Sequence, residues 1–164
     1  MSESTVSGLD RTDLRVLALL QRSGRATNAD IAEAVNLSAS ACLRRIQRLE
    51  ADGVIAGYAA LVDPQAVGLG LQAFVRVQLE KHGAREVQHF VESVQSWNEV
   101  IACHALTGEM DYLMHIVVSD LEHFSRFLLD KLLNETGVAD VNSSFVLRTV
   151  KQTRELPLDH LSRS

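Results

Sequence analysis

Residues 27–50, TNADIAEAVNLSASACLRRIQRLE, restrict the fold more than any other stretch of this 164-residue chain. Two apolar stripes of helical period flank a tight turn. Ile31, Ala32 and Val35 form the first stripe, and Cys42, Ile46 and Leu49, at i, i+4 and i+7, form the second. Leu37 plugs the turn, and Ala32 is small where two helices must cross closely. Asn36 occupies the position that takes a left-handed backbone, which Asn tolerates better than most residues. The pattern predicts a helix-turn-helix, a device that lays its second helix in the major groove of DNA.

Projected at about 100° per residue, the second helix separates a buried arc from an outer face. Cys42, Ile46 and Leu49 share the buried arc; Ser40, Arg44, Gln47 and Arg48 lie away from it, with Ala41 beside them and Arg45 on the margin. Ser38 can cap the helix N-terminus, where free amides also favour a phosphate oxygen. Arg pairs with guanine, Gln with adenine, and Ala suits a thymine methyl. Ser38, Ser40, Ala41, Arg44, Arg45, Gln47 and Arg48 are therefore the expected contacts to double-stranded DNA.

The net charge of −5 looks wrong for a polyanion binder. Its distribution resolves part of the conflict. Residues 22–48 carry five arginines against Asp30 and Glu33, whereas residues 64–164 carry nine basic against thirteen acidic side chains. One such module would bind weakly, so several acting together are expected. The N-terminal residues 1–8 lack the basic and apolar regions of a secretory signal, and no apolar run is long enough to span a bilayer. Cys42 and Cys103 stand alone, as in a reducing compartment, so a cytoplasmic protein without membrane partners is expected.

Along the chain, residues 9–23 read as a first helix with Leu14, Val16, Leu17 and Leu20 inward, capped by Asp10 with Asp13 one turn on. Thr27 and Asp30 repeat that spacing before the second helix. Gly53 stops the third, and 54–62 reads as an extended, wing-like segment. Asp63-Pro64 and Gly68-Leu69-Gly70 mark a linker, which divides the chain into 1–62, 63–72 and 73–164.

The second part reads as strand 73–80, helix 85–94, strands 100–106 and 111–118, and a helix to Asn134 opened by a Ser119–Glu122 capping box. Gly137 then reverses the chain before a strand over 143–150. This is the β-α-β-β-α-β order of a ferredoxin-like domain, so the fold class is α+β: a winged helix-turn-helix plus a ferredoxin-like domain. Two helices cover one sheet face only. Yet the 100–118 hairpin is apolar on both, with Ile101, Cys103 and Ala105 on one side and Val100, Ala102 and Leu106 on the other. A second copy, sheet against sheet, is the expected cover, and a homodimer gives DNA modules two-fold geometry.

The loop Leu106-Thr107-Gly108-Glu109-Met110-Asp111-Tyr112 is the best ligand candidate. Asp111 can meet an ammonium, amides near Gly108 a carboxylate, Thr107 a polar group, and Leu106 or Met110 an apolar side chain. The same residues also describe an ordinary hairpin loop in which Asp bonds the backbone. His104 and His115 share a predicted sheet face, but no third metal ligand converges on them. His82, His89, His123 and His160 are scattered. No GxSxG, HExxH or phosphate-cradling glycine loop occurs, so neither a catalytic centre nor a cofactor is expected.

The combination LDRTDLRVLALLQRSGRATNADIAEAV, LSASACLRRIQRLEADGVIAGYAALVDPQAVGLG, TGEMDYLMHIVVSD and SSFVLRTVKQTRELPL resembles the Lrp/AsnC, or feast/famine, transcription regulators across residues 9–158. The resemblance implies a ligand-binding second domain of the type called RAM, and dimers that assemble into octamers or discs. It also implies an amino-acid effector at a dimer–dimer interface, contacted by Gly108, Asp111 and Tyr112. By position, Leu106, Thr107, Ser143, Ser144 and Phe145 join them. Leucine or methionine is the effector that the likeness favours. Asn36 stands where many members have Gly. The alternatives are an effector-independent architectural DNA-binding protein and a ferredoxin-like dimeric enzyme with a helical module.

Overall fold

The computed structural model of the chain describes residues 8–80 and 83–163, so the expectations for residues 1–7, His82 and Ser164 lie outside the described residues. Two compact units form, Met1–Leu61 with Lys151–Ser164, and Val62–Val150.

The first unit holds α1 (Arg11–Arg22), α2 (Asn28–Val35) and α3 (Ala39–Ala51). Local chemistry sets their starts. Asp10 and Asp13 form a reciprocal capping box on α1, and Thr27 and Asp30 form another on α2. Asn36 closes α2 at φ 58°, ψ 49°, and the next amide, Leu37 N–H, reaches back to the Ala32 carbonyl. Ser38 caps α3 through the Ala41 amide. Val16, Leu17, Ile31, Ala32, Val35, Cys42, Ile46 and Leu49 make one core, with Leu37, Val54 and Ile55 packed on its edge.

Two features add detail to the sequence reading or differ from it. Residues 56–63 enter no ladder among the described residues, so the wing is an unpaired arm in the single chain. Its Leu61 and Val62 side chains are exposed. The C-terminal tail, assigned by the sequence to the second domain, groups with the first unit. Leu158 packs on the helical core, a 3-10 turn spans Asp159–Arg163, and the Gln21 amide exchanges hydrogen bonds with the Leu156 backbone. A single leucine and one satisfied peptide group suffice to dock it.

The second unit is a four-stranded antiparallel sheet of order β2-β3-β1-β4, built from β1 (Leu71–Leu79), β2 (Val100–Ala105), β3 (Tyr112–Val118) and β4 (Val138–Phe145). Helix α4 (Ala84–Ser96) follows β1. Helix α5 (Leu121–Arg126) follows β3 and continues as a π-helical turn over Phe127–Leu132. Ala73, Val75, Val77 and Leu79 of β1 and Tyr112, Met114, Ile116 and Val118 of β3 form one buried face. Phe90, Val94, Phe124, Phe127 and Leu132 pack on it.

The element order matches the sequence reading; several details differ. The cap of α5 is Asp120, whose carboxylate takes the His123 amide, in place of Ser119; the hydroxyl of Ser119 donates to Asp120 instead. A carboxylate is the stronger acceptor at a helix N-terminus. The last strand is Val138–Phe145, not 143–150, because Val138 and Val141 supply its inward positions and Gly137 reverses at φ 90°. Beyond it, Leu147 and Val150 are exposed. In β2 the register shifts between Val100 and Ala102. Val100 and Cys103, expected on opposite faces, therefore both pack toward the core, and Ile101 is left 60% exposed.

Candidate nucleic-acid interface and effector loop

Helix α3 sits on the three-helix core through Cys42, Ile46 and Leu49, each buried, so its remaining faces are set by the period of the helix. Ser40, Arg44, Gln47 and Arg48 are exposed, and Ala41 and Arg45 are half-buried. The Asn28 amide donates to the Ala39 carbonyl at 2.8 Å, tying the start of α2 to the start of α3. A shallow cleft of about 380 Å³ is lined by Asp10, Leu37, Ala41, Arg44, Arg45 and Arg48.

The three arginines of α3 do not behave alike. Arg45 Nη1 lies 2.6 Å from Asp10 Oδ2 and 2.8 Å from Asp13 Oδ1, and Arg48 Nη2 lies 2.5 Å from Asp13 Oδ2. Asp13 is fully buried. Its Oδ2 also accepts the Asp10 amide at 3.0 Å. The Asp13 backbone amide does most to hold the Asp10 carboxyl below the usual carboxylate range, desolvation opposes it, and Arg45 adds to the lowering. Hydrogen bonds to Asp10 and then Asp13 push the Arg45 guanidinium up in turn.

Arg44 has no ion pair among the described residues. The sequence reading placed all three arginines toward DNA; the structure turns two of them onto α1. A signal for this existed. Asp13 falls on the same stripe of α1 as Val16, Leu17 and Leu20, and a carboxylate on a buried stripe requires a cation from a neighbouring element.

In the second unit, the β2–β3 loop is closed by Leu106 N–H donating to the Asp111 carbonyl at 2.7 Å. Gly108 stands at φ 119° with open space around it, so glycine serves the backbone there. Leu106, Thr107, Gly108 and Glu109 are exposed and Met110 is half-buried. Asp111 is bound into the sheet: its amide donates to the Val77 carbonyl at 2.9 Å, and its Oδ2 takes the Leu79 amide at 2.8 Å. Tyr112 is a core residue, with its ring 4.7 Å from that of Phe90.

Ser143, Ser144 and Phe145 pair with Val75, Phe74 and Ala73, whereas the loop closes beside Val77 and Leu79. Phe145 points to the helical side, its ring 4.9 Å from Phe124, and Ser144 lies on the opposite face. One chain therefore does not gather these residues around a single cavity. His104 and His115 share the face away from the helices, as expected. No group of three potential metal ligands occurs among the described residues. No helix among the described residues is long and apolar enough to cross a membrane.

Comparison with known proteins agrees with this two-part organisation. A family model for the Lrp/AsnC ligand binding domain matches residues 72–156, and one for winged helix-turn-helix DNA-binding matches residues 9–56. The DNA-binding transcriptional activator DecR of Escherichia coli K12 is 38% identical over 151 residues, covering 92% of this chain and 99% of that one. The leucine-responsive regulatory protein of Haemophilus influenzae is 35% identical over 158 residues, covering 96% and 95%. A transcriptional regulator of Neisseria meningitidis, solved as its L-Met complex, superposes with a TM-score of 0.90 at 49% identity, covering 93% of this chain and 99% of that one.

Proposed function

The chain belongs to the Lrp/AsnC family of DNA-binding transcriptional regulators with an amino-acid-binding domain, and from that premise we propose how its two units divide the work. On α3, Arg44 and Gln47 read base edges, Ser40 and Ala41 lie against the groove, and the turn capped by Ser38 faces a phosphate. The observation that carries this assignment is the exposed, ion-pair-free Arg44 one turn into a helix whose other side is locked into the core. An Arg bidentate to guanine contributes about 1–3 kcal/mol of discrimination.

In the second unit, Leu106, Thr107, Gly108, Glu109, Met110 and Asp111 form one wall of an amino-acid site, which residues of a neighbouring copy complete. Ser143, Ser144 and Phe145 take part through a different copy than the loop they accompany, since the register separates them within one chain. Tyr112 supports the loop from the core. Leucine and methionine are the effectors favoured, given relatives named as leucine-responsive and a neighbour solved with L-Met. The open sheet face pairs two copies, and further assembly to an octamer multiplies weak modules enough to offset the net charge of −5. Effector binding shifts the population among assemblies and so changes the spacing of the recognition helices. The compartment is the one that holds DNA, the cytoplasm.

The enzyme alternative falls with the relatives, which are transcriptional regulators. The remaining alternative, an effector-independent architectural protein, separates by a thermal-shift panel of the common amino acids. A ligand at about 100 times its Kd adds roughly 2.7 kcal/mol of stability. Stabilisation by leucine or methionine, with a changed gel-shift titration on duplex DNA, supports the regulator. A flat panel together with intact DNA binding supports the architectural protein.

A further inference from the structure

Helix α3 carries three arginines, yet two of them are neutralised inside their own module. Asp13 is the buried charged side chain of the first unit's described residues, and its two oxygens are spread over three donors: the Asp10 amide, Arg45 Nη1 and Arg48 Nη2. Asp10 takes the same Arg45 nitrogen. Two carboxylates at the start of α1, the N-cap Asp10 and Asp13, thus face two guanidiniums one turn apart on α3. A buried carboxylate stripped of one partner is costly, so these contacts are held firmly. The exposed side chains tell the same story in graded form, with Arg45 29% and Arg48 46% accessible above an inaccessible Asp13.

We propose that Asp13, with Asp10, is a positioning residue for DNA recognition: it withholds Arg45 and Arg48 from DNA phosphates and fixes the rotation of α3, leaving Arg44 as the free cation of that helix. The inference rests on the DNA-binding role of α3 proposed above. It has a consequence for selectivity. Non-specific affinity scales with the number of phosphates neutralised, whereas base readout needs only a few well-placed groups. A helix whose surplus charge is internally compensated binds arbitrary DNA weakly and keeps its discrimination. The acidic clamp is therefore a specificity determinant that never touches DNA.

The test measures binding of the full-length protein to a fluorescent random-sequence duplex across a salt series. Each phosphate neutralised contributes about 0.9 to the slope of log affinity against log salt. Asp13→Asn, which keeps the shape, should bind random DNA more tightly than the parent and steepen the slope by about 0.9–1.8 per bound subunit. Arg48→Met and Arg45→Met should leave the slope unchanged, while Arg44→Met should lower it by about 0.9 per subunit, because on random sequence the Arg44 guanidinium meets a phosphate in place of its guanine.

The arginine variants decide the matter if Asp13→Asn fails to fold. A merely structural Asp13 would lower melting temperature without altering the slope. Overturning results are an unchanged slope in folded Asp13→Asn, or an Arg48→Met slope reduced as much as that of Arg44→Met. Should the parent itself ignore duplex DNA at low salt, the DNA-binding role fails first and the clamp with it. Should the parent bind with a slope that answers to Arg44 alone, both stand.

Discussion

Phe74 stacks on His115 across the β1–β3 ladder, with ring centroids 4.6 Å apart and planes 19° from parallel, on the sheet face away from both helices. Gln72 Oε1 lies 3.1 Å from His115 Nε2 and fixes the imidazole from the side. A flat aromatic pair, with Phe74 still 39% exposed, is an unfinished surface. Phe74→Glu should therefore break the proposed sheet-to-sheet dimer while the helical core on the other face keeps the domain folded. Light scattering should show a smaller assembly for the variant than for the parent; a variant that keeps the parent's size would place the interface elsewhere.

The same pair makes folding stability sensitive to acid. Burial holds the His115 imidazole below its ordinary value of about 6.5. The unfolded chain then binds the proton more readily than the folded one, so stability falls as pH drops below about 6.5 and the loss is complete below the depressed folded value. Thermal melts of the parent should fall through this window, and His115→Gln should flatten that part of the profile. A parallel decline in both would assign the acid sensitivity to other groups.

Asn36 holds the turn between α2 and α3 in the left-handed region. Asn36→Ala should destabilise the first unit by about 1 kcal/mol, since the added strain is that of an ordinary side chain at positive φ. Asn36→Gly should be neutral or slightly stabilising. Denaturant titration separates the two; equal stability of all three proteins would mean that the turn relaxes on substitution.

These features differ in how openly the sequence displays them. The capping pairs Asp10–Asp13 and Thr27–Asp30, the left-handed Asn36 and the order of elements follow from interactions spanning a few residues or from simple periodicity, and they were legible. The reading face of α3 was legible as a face but not as a charge state. Pairing Arg45 and Arg48 with Asp13 depends on how α1 is rotated against α3, which no local pattern encodes. Strand β4 was displaced because Asp140 and Asn142, poor strand formers, sit on its outer face and disguise the inward Val138 and Val141. The bulge at Ile101 hid for a related reason: one extra residue inverts the apparent alternation without leaving a compositional mark.

The tail offers a separate check on unit boundaries. Leu158 docks on the helical core, Gln21 and Leu156 exchange two hydrogen bonds, and Arg22 lies 3.6 Å from Glu155. Deleting residues 151–164 should lower the melting temperature of the helix-turn-helix unit, and Leu158→Ala alone should account for about 1 kcal/mol of that loss. The exposed Arg22–Glu155 pair should contribute almost nothing. Unchanged melting after truncation would mean that these contacts add nothing to the helical unit.

Asp111 is the residue on which structural and ligand roles compete most directly. Its carboxylate takes the Leu79 amide just beyond the Val77–Tyr112 end of the β1–β3 ladder, where that amide has no strand partner. Asp111→Ala removes that acceptor and should lower stability by about 1–2 kcal/mol, less than a fully buried charged hydrogen bond because the site is half-open. Asp111→Asn keeps the shape and can still accept from Leu79, so its unliganded melting should stay close to that of the parent. What Asn cannot supply is the negative charge that an effector ammonium requires. If Asp111 faces the amino group of leucine or methionine, Asp111→Asn loses the ligand-induced thermal shift without losing the fold. A preserved shift in Asp111→Asn would confine Asp111 to the sheet and move the ammonium site to the exposed Glu109 of the same loop or to a residue of the adjoining copy.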